Sequence, residues 1–165
     1  MESVSELTTQ RLGVFLLALL AARSLRAQDS AFHAMQQRGK VAMGVDQYTS
    51  FHRFEPAADG GRVVLVRDST DAAGVQAIRE HLKGIARAFT AGDFQTPGFV
   101  HAQTVPGTRV MTARKGAIRY VFHPLPGGGE VRIVTRDSAA VHAVHDFLVF
   151  QRTEHRTGEG EQHRH

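Results

Sequence analysis

Ten histidines and no cysteine make imidazole the side chain best equipped for chemistry in this 165-residue chain. A first-row metal needs three or four nitrogen or oxygen ligands converging at about 2 Å, and neutral imidazole suits Zn, Cu, Ni or Fe. Three histidines stand where such convergence is expected. His52 falls on an inward strand face, His155 on the inward stripe of the last helix, and His101 on a mobile connector between them. His145 lies on that helix beside its apolar stripe, which makes it an outer member of the set, and Gln151 lies on the stripe itself. Together they read as a site for a transition metal, Zn or Cu, or for a small polar ligand. The competing reading is a hydrogen-bonded polar patch in the core, because the chain has no short metal motif such as His-Glu-x-x-His. His142 and His145 have helix-neighbour spacing, which also occurs on wet faces. His81 flanks the first helix stripe as boundary packing, His123 sits in a turn, and His163 and His165 belong to the tail.

Other chemistries fit less well. Asp68-Ser69 and Asp137-Ser138 set an acid beside a hydroxyl, but both precede helices and helix capping accounts for them. Gly127 to Gly129 lie in a hairpin without the Lys-Ser/Thr and the following helix of a phosphate loop. There is no Gly-x-Ser-x-Gly elbow. The absence of cysteine excludes thiol catalysis, disulfides and thiolate metal sites. The net charge of +4 is modest and the Lys and Arg residues are scattered, so no basic stripe for nucleic acid forms.

The elements that must position the histidines are written twice. Phe54, Pro56, Gly60, Gly61, Val63, Leu65 and Val66 correspond to Phe122, Pro124, Gly128, Gly129, Val131, Ile133 and Val134. Val75, Ala77, Ile78 and Leu82 then correspond to Val141, Ala143, Val144 and Leu148. Each copy reads as strand, turn, strand, helix. Alternation puts Ser50, His52 and Phe54 on one face, as it does Ile118, Tyr120 and Phe122 in the second copy. The first helix, from about Asp71 to Ala91, has an apolar stripe of Val75, Ile78, Leu82, Ile85 and Phe89, and Gly92 is its stop. The second helix keeps the stripe but places Gln151 where the first has Ile85, and His155 where the first has Phe89. Polar groups on a core stripe are costly unless partnered, which is why these departures draw attention.

The expected fold class is therefore α+β: a duplicated ββα unit forming a four-stranded, mostly antiparallel sheet, with two helices on one face related by a pseudo-two-fold axis. A single hairpin and helix would bury too little to stand alone. Residues 1–27 read as a signal peptide or N-terminal anchor, with the apolar run Leu12 to Ala22 as its core and cleavage after Ala27 or after Ser24. That run is short for a bilayer span. A single α+β domain follows over residues 28–157, with repeat one at 48–92, a connector at 93–116 and repeat two at 117–157. Residues 28–47 read as a short helix broken at Gly39 and a connector packed on the sheet edge. Residues 158–165 have nothing apolar to dock and read as a disordered tail.

The stretches Gly44 to Phe54, Asp59-Gly-Gly61, Ile78-Arg-Glu-His81-Leu82, Ala91-Gly-Asp93-Phe94, Val100-His101, Val105-Pro-Gly107 and Val144-His145 resemble a family of small exported bacterial proteins of unknown function. The likeness covers roughly residues 35–157. Some of its relatives carry the label aspartate carbamoyltransferase, which the motifs here do not support, since the Ser-Thr-Arg-Thr phosphate motif of that enzyme is missing. The resemblance implies export to the periplasm or beyond and adds weight to His52, His81, His101, His145 and His155, but implies no activity. The function expected from the sequence is that of an exported binding or accessory module, whose partner is a metal ion or a small polar ligand. The alternatives are a metal-assisted hydrolase or oxidase using the same histidines, and a structural or interaction protein whose histidines only hydrogen-bond in the core.

Overall fold

The computed structural model describes residues 29–44 and 49–157. The expected signal segment 1–27, the first residue of repeat one at Tyr48, and the expected tail 158–165 lie outside the described residues. The chain divides into two units, 1–34 and 35–165, and the second holds the whole α+β fold.

Helix α1 occupies 29–43 and runs through Gly39, where a break was expected. Glycine in a helix interior costs about 1 kcal/mol. Met35, Gly39 and Met43, four residues apart, form a buried stripe, and burying the two methionines outweighs that cost at about 1.5–3 kcal/mol each.

The sheet is built by two hairpins with strict alternation. Strand β1 (Ser50–Ala57) buries Ser50 and Phe54, half-buries His52, and leaves Phe51 and Arg53 outside. It pairs with β2 (Gly60–Arg67), whose Val63 and Leu65 face the core. Strands β3 (Ile118–Leu125) and β4 (Gly128–Thr135) repeat the arrangement with Ile118, Tyr120, Val131 and Ile133 inside. The order is β1-β2-β4-β3, with every neighbour antiparallel. Adding 68 to each residue of the β1–β2 register, Ser50↔Arg67 for example, gives the β3–β4 register, Ile118↔Thr135. The central β2–β4 register is centred on the pair Val63↔Val131, two positions with that same separation. Gly60, with φ +130°, sits where a Cβ would lie 2.4 Å from the Ile133 carbonyl oxygen, so only glycine lets β4 approach.

Both long helices cover the same face of the sheet. Helix α2 (Ala72–Ala91) is capped by Asp71, whose carboxylate accepts from the Gly74 N–H, and ends at Gly92 with φ +80°. Helix α5 (Ser138–Glu154) is capped in the same way by Asp137 and the Ala140 N–H. The core joins Ile78, Leu82 and Phe89 of α2 to Val144, Phe147 and Leu148 of α5 over the inward strand residues. The packing is crossed: α2 rests mainly on β3 and β4, and α5 on β1 and β2. Each ββα segment therefore supplies the roof of the other.

The connector is more ordered than its turn residues suggest. Thr96-Pro97-Gly98 lies inside α3 (Gln95–His101), followed by α4 (Thr108–Ala113) and the 3-10 turn Lys115–Ala117. Pro97 is tolerated because the first helical turn has no intrahelical partner for its N–H groups. Burial of Pro97, Val100 and His101 holds α3 in place. On the outer sheet face Val64 is only 1% exposed. Its cross-strand partners are Arg53 and Glu130, and Arg62, two residues before it on β2, bridges Glu55 at 2.5 Å and Glu130 at 3.3 Å. Among the described residues no helix is long and apolar enough to cross a membrane.

Candidate functional site

The alternation of β1 carries His52 to the inward face, and the C-cap of α5, one residue past the helix on which it was expected, carries His155 above it. Their rings stack with centroids 5.2 Å apart and planes 25° apart. Phe54 lies against both, at 5.8 Å from His52 and 5.4 Å from His155. The C-terminal end of α3 adds His101, whose ring meets His155 edge-on at 5.2 Å. His101 is 7% exposed, on an ordered helix rather than a mobile connector. Its Nε2 lies 3.0 Å from Gln151 Oε1, one turn before His155 on α5. Gln151 Oε1 is the acceptor there, so His101 carries its proton on Nε2 and leaves Nδ1 bare.

His52, His101, His155 and Gln151 are thus brought together, and His145 is not. Its Nε2–H donates to the Ala57 carbonyl at 2.9 Å, at the turn of the β1–β2 hairpin. The position beside the apolar stripe, which suggested a ligand, instead lets the ring reach across to a strand end. His81, read from sequence as boundary packing, belongs with the cluster. It lines the same cavity as His52 and His155 and is close enough to His52 to affect its titration. The signal that could have found it is the repeat itself: the helix alignment that pairs Phe89 with His155 pairs His81 with Phe147, a core aromatic.

The cavity measures about 80 Å³ and opens to solvent on one side. Its walls are mostly apolar, with Met43, Leu82, Phe89 and Pro97 among them, and its polar groups include the His52, His81 and His155 imidazoles and the Gln151 amide. Gln151 is 4% exposed and its Nε2 has no hydrogen-bond partner. A buried amide donor left unpaired costs about 1–3 kcal/mol.

Burial sets the charge state. It pushes His52 down to about 4, with the His81 imidazole adding to the effect. His52 keeps ring surface open to the cavity, but the cavity walls are mostly apolar, so the imidazolium would still be poorly solvated. His155 is held well below the ordinary histidine value by burial and then by the neighbouring His52 and His101. His101 is lowered by burial, against the Gln151 hydrogen bond and Glu154, which favour the proton. His81 is lowered by burial, against a hydrogen bond to the Ala42 backbone. All four rings are neutral at pH 7.

Neutral imidazoles hold their lone pairs free, which is the state a metal requires. The arrangement is nevertheless one of stacked faces and edges, and among the described residues no group of three or more His, Asp or Glu is placed to hold a metal ion. A general base works best with a pKa near the working pH, and His52 at about 4 is far from it. Hydrogen bonding and ring stacking inside a small, mostly apolar cavity are what this arrangement does well.

The fold and the site define a small α+β protein with a neutral, imidazole-walled pocket over an antiparallel sheet. No protein-family model, no curated protein and no solved structure matches the chain.

Proposed function

We propose that the chain is a small ligand-binding module whose working part is the cavity between β1, α2, α3 and α5. The observation that carries this reading is Gln151, a residue of the cavity lining beside neutral imidazoles, whose buried amide Nε2 is unpartnered. Buried polar groups in native proteins are overwhelmingly satisfied, and a donor left over on a cavity wall is what a bound hydrogen-bond acceptor would complete. The test is a titration of the full chain with a cocktail of small neutral fragments, following the histidine ring signals by NMR. Saturable shifts at His52 and His155 support the module; no shift at either ring from any fragment overturns it.

A metal is the second reading, favoured by the neutrality of the rings. It requires His52, His101 and His155 to turn their nitrogens onto one point. Calorimetric titration with zinc, on a chain with His163 and His165 changed to alanine, separates the two. Stoichiometric binding lost in both His52→Ala and His155→Ala would move the reading to a metal protein.

Two further parts of the proposal concern origin and place. The shared hairpin registers and the matching caps Asp71 and Asp137 support an internal duplication of one ββα unit. The apolar run Leu12 to Ala22 and the resemblance to exported bacterial proteins support action outside the cytoplasm. Cell fractionation checks the latter: an unprocessed cytosolic product would refute it.

A further inference from the structure

The duplication relates strand positions by 68 residues and helix positions, counted from the caps Asp71 and Asp137, by 66. On that map Tyr120 corresponds to His52, Phe89 to His155, Phe147 to His81 and Ile85 to Gln151. One half of the core is an aromatic cluster: Phe89 meets Tyr120 at 5.6 Å and Phe147 at 5.8 Å. The other half puts His155 against His52 at the corresponding positions, at 5.2 Å and stacked rather than edge-on. The aromatic half holds one more ring. Phe94 stacks on Phe89 at 4.4 Å and leans on Phe147 at 6.2 Å. The sequence position corresponding to Phe94 is 160, a glycine, which has no ring to offer. Where the counterparts of Phe89 and Phe147 stand, both His155 and His81 line the cavity.

We infer that the cavity takes a single planar heteroaromatic ring, seated against His155 and His81 as Phe94 is seated against Phe89 and Phe147, with a ring acceptor atom receiving the Gln151 amide. This rests on the reading of the cavity as a ligand site and narrows it to a class. The lining has neutral imidazoles, an amide and apolar side chains, so it suits an uncharged ring. At about 80 Å³ it is smaller than the ~150 Å³ apolar cavity known to hold benzene, which excludes fused rings and leaves one edge of a single ring at the open side. A hydrogen-bond acceptor on that ring satisfies the donor that the protein leaves unpaired.

Pyridine, benzene and tetrahydropyran separate the requirements: flat with an acceptor, flat without one, and an acceptor without a flat ring. Each is titrated at pH 7.5 into the full chain, with the His52, His81 and His155 ring protons followed by NMR. Pyridine is expected to bind roughly five- to tenfold tighter than benzene, the worth of one neutral hydrogen bond. Tetrahydropyran is expected to bind more weakly than pyridine. Gln151→Leu should remove the preference for pyridine over benzene. His81→Phe, which fills the cavity without touching Gln151, should weaken pyridine at least about tenfold, by steric exclusion of a ring from a site this small. Tetrahydropyran binding as tightly as pyridine overturns the ring class and leaves the binding module standing. Silence from all three probes, with shifts from the wider cocktail, does the same. Silence from every fragment overturns both. Unchanged pyridine binding in folded His81→Phe places the probe elsewhere and overturns the inference.

Discussion

Arg79 on α2 and His145 on α5 make the same connection in opposite directions. Arg79 reaches from its helix to the β3–β4 turn, donating to the Leu125 carbonyl at 2.7 Å and the Gly128 carbonyl at 3.0 Å. His145 reaches to the β1–β2 turn and donates to the Ala57 carbonyl at 2.9 Å. Ala57 and Leu125 are corresponding strand residues, and Arg79 and His145 corresponding helix residues. Each helix is thus pinned to the hairpin it covers, and the histidine that sequence placed beside the site is a structural clamp.

That role predicts the cost of removing either clamp. Arg79→Ala gives up two charge-assisted bonds to part-buried carbonyls and should cost about 2 kcal/mol; His145→Ala should cost about 1. Urea unfolding measures both. His145→Ala should leave the His52 and His155 ring signals in place, and movement of those signals would return His145 to the site.

Acid should unfold the protein through its histidine cluster. An unfolded histidine titrates near 6.5, whereas His52 in the fold titrates at about 4. Between those values the unfolded chain binds more protons, so this stability is fully present above pH 6.5 and is lost as pH falls toward 4. His52 alone accounts for on the order of 3 kcal/mol. His155, His81 and His101 act in the same direction; Arg38 reinforces the effect on His101, and Glu154 opposes it. Urea midpoints measured from pH 7.5 to 4.5 should fall steeply, and less steeply in His52→Phe. Equal slopes in the two proteins would contradict the buried neutral ring.

Placing the aromatic half's residue at the site should stabilise the fold and silence the cavity. His155→Phe copies Phe89 at the corresponding helix position, against a stacked neighbour already 5.2 Å away. The expected gain is about 1 kcal/mol, seen as a higher melting temperature, together with loss of fragment binding. A less stable variant would mean that the His155 ring carries part of the core's cohesion.

His101 and Gln151 should behave as one unit. Gln151→Leu strands the His101 Nε2–H, and His101→Phe strands Gln151 Oε1, so each single change should cost about 1–3 kcal/mol. The double change removes both orphans and should cost less than the sum by at least about 1 kcal/mol. A strictly additive cycle would show that the 3.0 Å contact contributes nothing to stability.

The sheet and the faces of its strands are readable from sequence because β periodicity is local: Phe54, Val63 and Leu65 announce a face by their spacing, and the glycines announce the turns. His52, Gln151 and His155 draw attention in the sequence because the repeat supplies a counterpart for each, and an imidazole opposite a tyrosine or phenylalanine stands out. What escaped is decided by distant contacts. Thr96-Pro97-Gly98 reads as a turn, and only burial of Val100 and His101 makes it part of a helix. Gly39 reads as a break until Met35 and Met43 find the core. His145 sits at the rim of its stripe, where a small rotation decides between cavity and strand end, and the Ala57 carbonyl that decides it is 88 residues away. Nothing local states which hairpin each helix will cover.

That crossed covering has a consequence for birth on the ribosome. The apolar stripe of α2 emerges before β3 and β4, the surface that shields it, have been made. The first hairpin waits longer still, since α5 is the last described element to be synthesised. Each half lacks its cover until the other is made, so the nascent polypeptide exposes apolar surface until α5 arrives. Such chains depend on speed of completion or on a chaperone's shelter, and a stall late in translation is the failure to which this topology is most exposed.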